Sequence, residues 1–113
     1  MIADISVSLD GFVTGPGPSP DNGLGTGGEA LHTWAFSDDP DDRRVLREAT
    51  ARSGAVILGR RLFDVVDALT LHLAPVVLGA GTPLFTGGAP RTLVQRSVIP
   101  TSTATHLTYD VSR

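Results

Sequence analysis

The sequence predicts a mixed α/β fold in one domain spanning residues 1–113. Three observations predict it. An alternating strand pattern opens the chain and a well-capped helix pattern follows. A short continuous apolar run comes straight after that helix, and two alternating segments joined by a short polar turn close the chain. A helix between two strands makes a β-loop-α-β unit, and the closing pair makes an antiparallel hairpin.

The elements follow in order. Residues 2–9 alternate, with Ile5, Val7 and Leu9 on one face, and Asp10-Gly11 supplies a turn. Residues 11–28 are crowded with Gly and Pro and read as a long irregular loop. Residues 29–36 place Leu31, Trp34 and Ala35 at helical spacing. The next helix has Asp39 as N-cap, Pro40 at the first helical position and Asp41 and Asp42 against the positive end of the dipole. Val45, Leu46 and Ala49 give its apolar face, Arg52 its last turn and Gly54 its stop. Residues 55–59, AVILG, read as a buried strand. A strand from residue 69 is expected to run on to Gly79, bent at Pro75. Residues 79–90 form a second Gly/Pro loop, and strands 92–98 and 104–111 finish the chain.

Composition narrows the function classes. The chain is 41% hydrophobic and 19% charged, as in ordinary globular proteins. Its net charge is −3 and all nine of its basic residues are Arg, a poor electrostatic basis for nucleic-acid binding. There is no Cys, which excludes disulfides and thiolate chemistry and suits a reducing cytoplasm. No signal-peptide pattern or membrane-length apolar run is present, so a cytoplasmic domain without membrane or nucleic-acid partners is expected.

Several motifs invite chemistry. GLGTGG at 23–28 matches a dinucleotide fingerprint, but PGPSPDN before it cannot be the strand that the fingerprint needs, so it reads as a surface loop. His32, His72 and His106 lack metal-ligand spacing, and no metal site is expected. His72 and His106 fall opposite the apolar strand faces and read as solvent-facing or sheet-face residues. SLDGF at 8–12 puts Asp10 at the C-terminal end of the first strand, where open α/β sheets bind ligands; the competing reading is a plain Asp-Gly turn. Gly59-Arg60-Arg61 follows the apolar run, and an arginine fork suits phosphate; two surface arginines in a turn are the alternative.

Taken in order, SLDG, GGEALHTW, AVILGRRLFD and VDALTLHLAPVVLGAGTPLF resemble the dihydrofolate reductase-like family. More narrowly they resemble the reductase domain of the riboflavin-biosynthesis deaminase-reductases, over nearly the whole chain. The resemblance implies a mixed, mainly parallel sheet with flanking helices and a C-terminal antiparallel hairpin. It implies hydride transfer from NADPH to a small molecule, 5-amino-6-(5-phosphoribosylamino)uracil in the riboflavin reductases, and pairing into a homodimer. By the same resemblance Asp10 is the catalytic-site aspartate, and Ser8, Gly11, Leu31 and Trp34 border the substrate. Gly59, Arg60 and Arg61 hold the cofactor phosphate, and Gly79 and Gly81 shape the late cofactor loop.

The chain departs from the pattern at Leu62, where the family carries Thr, and at Ala68, where it carries Glu. In the family several tens of residues separate the Gly-Arg-Arg motif from Val-Asp-Glu-Leu, including a glycine turn that holds pyrophosphate. Here Asp64 runs directly into Val65, which implies an internal deletion and a fold truncated in the middle. Two further readings follow: an inactive remnant or oligomerising module with half the cofactor site missing, or reduction of another substrate in the dihydrofolate manner, with Glu29, Asp38 or Asp39 as the acid.

Overall fold

The computed structural model describes residues 2–52, 66–85 and 90–112. Its centre is a four-stranded mixed sheet of order β1-β3-β6-β5, made of β1 (Ile2–Val7), β3 (Ala68–Leu73), β5 (Leu93–Pro100) and β6 (Thr105–Val111). β1 and β3 run parallel, whereas β3–β6 and β5–β6 are antiparallel. The mixed sheet and the closing hairpin thus match the sequence. Parallel pairing does not predominate among the described strands, and the expected strand at 55–59 lies outside the described residues. So do Gly54, Gly59, Arg60, Arg61, Leu62 and the Asp64–Val65 join.

A 3-10 segment (Gly28–Phe36) and helix α1 (Pro40–Arg52) follow the first loop. The α1 start is the one the sequence predicts: the Asp39 carboxylate accepts the Asp41 N–H at 2.8 Å, and Asp39 O accepts the Arg43 N–H at 3.0 Å. Residues 11–28 are not wholly irregular, since β2 (Phe12–Thr14) pairs with the short β4 (Thr82–Pro83).

The late strand stops at Leu73 rather than Gly79. Pro75 offers no N–H to a ladder, and the Val76 N–H turns back to Ala74 O at 2.8 Å, so the chain leaves the sheet there.

The sheet carries buried side chains on both faces of β1 and β3, while β5 is largely exposed. Ile5, Val7, Val13, Val66, Leu69, Leu84 and Val111 form one apolar core. Trp34, Val45 and Ala104 form a second, where the 3-10 segment and α1 meet the rest of the chain. Beneath Trp34 lies the polar face of the strands, including Ser6 and His72. His72 and His106 are therefore not solvent-facing: they are 1% and 2% exposed. Period-two alternation separates two strand faces, but it does not say that the polar one stays wet.

Candidate functional site

The C-terminal ends of the parallel strands β1 and β3 carry two loops that hydrogen bonds knit together. The Ala74 N–H donates to Val7 O at 2.9 Å, the Leu9 N–H to Val76 O at 2.8 Å and the Leu84 N–H to Gly11 O at 2.9 Å. Asp10 adds a side-chain clamp. Its Oδ1 accepts the Ser8 hydroxyl at 2.6 Å and the Leu78 N–H at 3.1 Å, and its Oδ2 accepts the Gly79 N–H at 2.8 Å. The Ser8 hydroxyl oxygen in turn accepts the Phe12 N–H at 2.9 Å.

These donors set the state of Asp10. The Ser8 hydroxyl bond holds its carboxyl below the ordinary value, against some opposing desolvation and with help from the Gly79 and Leu78 amides. The group is an ionised acceptor. Oδ2 keeps a lone pair beyond the one used by Gly79, enough to take one more donor from a ligand.

Glycine is required at two places. Gly79 adopts φ +79°, and Gly81 adopts φ +147° with its backbone pressed on β2. A Cβ on Gly81 would lie 1.9 Å from the Thr14 carbonyl oxygen. Beside it the Thr14 hydroxyl donates to Thr82 Oγ1 at 2.7 Å. Exposed apolar side chains of the same two loops, Leu9 and Val77, give the rim apolar surface.

The structure thus brings together Ser8, Asp10, Gly11, Gly79 and Gly81 from two loops 68 residues apart in sequence. Leu31 and Trp34 are both buried, and the Trp34 indole N–H donates to the Ser6 hydroxyl at 3.0 Å. The acids that a dihydrofolate-type reading would use, Glu29, Asp38 and Asp39, border one open surface depression with Phe36 and Thr103. Asp39 is already engaged there as the cap of α1.

A second polar constellation escaped the sequence reading. His72 Nε2 pairs with the Asp4 carboxylate, His72 Nδ1 lies 2.8 Å from His106 Nδ1, and His106 Nε2 lies 2.5 Å from Asp42 Oδ1. Trp34 stacks on His72 with ring centroids 4.1 Å apart and meets the edge of His106 at 5.0 Å. Asp42 is fully buried and accepts further hydroxyl bonds from Ser37 at 2.7 Å, Thr101 at 2.9 Å and Thr103. Burial alone would raise its pKa; the bonds from Thr103, His106, Ser37 and Thr101 outweigh that and lower it to about 2. His32, half-buried on the 3-10 segment, is held below the ordinary imidazole value by burial and then by repulsion from His72. The signal available in sequence was the polar residue at every second position of β1, β3 and β6, with no indication of which would meet.

Among the described residues no group of three or more His, Asp or Glu side chains could hold a metal ion, and no helix is long and apolar enough to cross a membrane.

No protein-family model matches the chain, and no curated protein matches it. Among solved structures, it is similar to a protein from Shewanella sp. PV-4 provisionally named a riboflavin biosynthesis protein. The two are 19% identical with a TM-score of 0.57, over 99% of this chain and 98% of that one. At that identity the likeness shows a shared α/β fold, and it lends no support to an internal deletion.

Proposed function

We propose that the chain is an NADPH-dependent reductase of the dihydrofolate reductase-like kind, acting on a small polar heterocycle of the riboflavin-biosynthesis type. One observation carries the reading. Asp10 clamps the loop after β1 to the glycine loop after β3, at the strand ends where open α/β sheets take ligands. The motif resemblance and the fold shared with a provisionally named riboflavin biosynthesis protein support the same reading.

In this reading the nicotinamide supplies hydride when bound, and the chain's residues orient and hold. Asp10, kept ionised by Ser8 and the two amides, accepts a hydrogen bond from a substrate amino or ring N–H through Oδ2. It positions rather than protonates. Gly79 and Gly81 let the late loop approach a ligand closely. Gly59, Arg60 and Arg61 would take the cofactor phosphates, the arginine fork distinguishing NADPH from NADH.

A second reading, an inactive module that pairs through its sheet, is favoured by one feature. Among the described strands β5 lies at the sheet edge, exposed over most of its length, with Val94 and Val98 open to solvent. Titration with NADPH and NADH, followed by nicotinamide fluorescence and by melting temperature, separates the two readings. A reductase gains thermal stability with NADPH and less with NADH. Absence of any shift at about millimolar NADPH, a concentration at which even weak specific sites fill, would sink it.

A further inference from the structure

Two neutral imidazoles and two carboxylates do not contain enough protons for the buried chain that links Asp4, His72, His106 and Asp42. The chain has three hydrogen bonds: Asp4 to His72, His72 to His106, and His106 to Asp42. Each bond needs one proton. Asp42 is ionised, with three hydroxyls already aimed at it, so His106 Nε2 must donate. His72 Nε2 faces a second carboxylate and uses the second proton. Without a third proton, the two Nδ1 lone pairs would face each other across 2.8 Å inside the protein.

We infer that His72 and His106 hold one extra proton between their Nδ1 atoms, and that this buried proton is a pH-sensitive latch fastening α1 and the 3-10 segment to the sheet. Its ends lie on separate elements. Asp4 belongs to β1, His72 to β3 and His106 to β6, while Asp42 sits in the first turn of α1. Trp34 of the 3-10 segment stacks on His72, a favourable place for a shared imidazolium charge. Titratable groups face the pair from every described element packed on it: Asp4, Asp42 and, from the 3-10 segment, His32. The two carboxylates favour the proton and His32 opposes it only when itself charged.

The sign follows from proton inventory. The latched state binds one proton that separated, solvated imidazoles release as pH rises past their ordinary range, so latching weakens on the alkaline side.

The test is nitrogen-15 NMR of the histidine rings in the wild-type chain. Both Nε2 atoms should be protonated, and the two Nδ1 atoms should share one proton, giving shifts midway between the protonated and bare forms. Two bare Nδ1 atoms at about pH 6 would overturn the proposal. As pH is raised the third proton should leave, and the protection of the α1 amides, corrected for base-catalysed intrinsic exchange, should fall about tenfold or more. Loss of the proton with unchanged protection would refute the latch. In His106→Gln, which keeps polar contacts but cannot share a proton, the melting temperature should lose the alkaline fall, about 4 °C or more, expected of the wild type. An equal fall in both would also refute it. Should the variant not fold, the wild-type spectra and exchange decide alone.

Discussion

Two polar regions of this molecule use carboxylates in opposite ways. Asp10 is exposed and spends its oxygens on a hydroxyl and two backbone amides, which fixes loops and leaves room for a ligand. Asp42 is wholly buried and accepts four side-chain donors, none from a backbone amide, which fixes a helix and leaves room for nothing. The strand-end carboxylate bonded to loop amides lies where the proposed function puts its site. A buried carboxylate surrounded by hydroxyls and imidazole marks architecture, and its chemistry is confined to protons.

The contrast can be broken most forcefully at Asp42. Asp42→Ala leaves Ser37, Thr101, Thr103 and His106 aimed at a void, and should cost about 3–5 kcal/mol, as removal of one member of a buried charged pair does. Urea denaturation measures it. Gly81→Ala comes next: a Cβ 1.9 Å from the Thr14 oxygen, at φ +147°, must part β2 from β4. The expected loss is about 1–3 kcal/mol, with weaker NADPH binding in the fluorescence titration. Asp42→Ala should leave NADPH binding by the folded fraction unchanged, whereas Gly81→Ala should lower both stability and NADPH binding.

Acid sharpens the same comparison. The Asp42 carboxyl, lowered to about 2 in the folded chain, contributes stability that is complete above the unfolded carboxyl value of about 3.9 and is lost as pH falls toward 2. Melting temperature followed from about pH 5 down to about pH 2 should decline over that window, and in Asp42→Asn the decline should be shallower. Asp10→Asn should move stability little. It should instead speed amide exchange at Leu78 and Gly79, whose N–H groups lose a charged acceptor. Smallest of all is Arg96→Ala, which removes an exposed pairing with Asp110 on β5–β6 and should change stability by about 0–1 kcal/mol.

The sequence made one of the two regions legible and hid the other for a physical reason. Asp10 sits in a local signal, a strand followed by Asp-Gly, and its position at a strand end holds whichever strand lies beside it. The α1 cap at Asp39 and the closing hairpin were legible on the same local grounds. The Asp4–His72–His106–Asp42 chain is assembled across 68, 34 and 64 residues of sequence, and only the register of β1, β3 and β6 creates it. His72 looked solvent-facing because its neighbours Leu71 and Leu73 claimed the apolar face; the cover supplied by Trp34 is a tertiary fact. The same holds for Leu31 and Trp34, which the family resemblance put beside substrate and the fold puts in the interior.

The most direct test maps the NADPH site by amide chemical shifts in the labelled wild-type chain. The account predicts shifts at residues 59–61 and 78–81, extending to 8–11, with the amides of Asp4, Asp42, His72 and His106 unmoved. Shifts centred on the buried chain, with the Asp10 and Gly79 loops unperturbed, would contradict it.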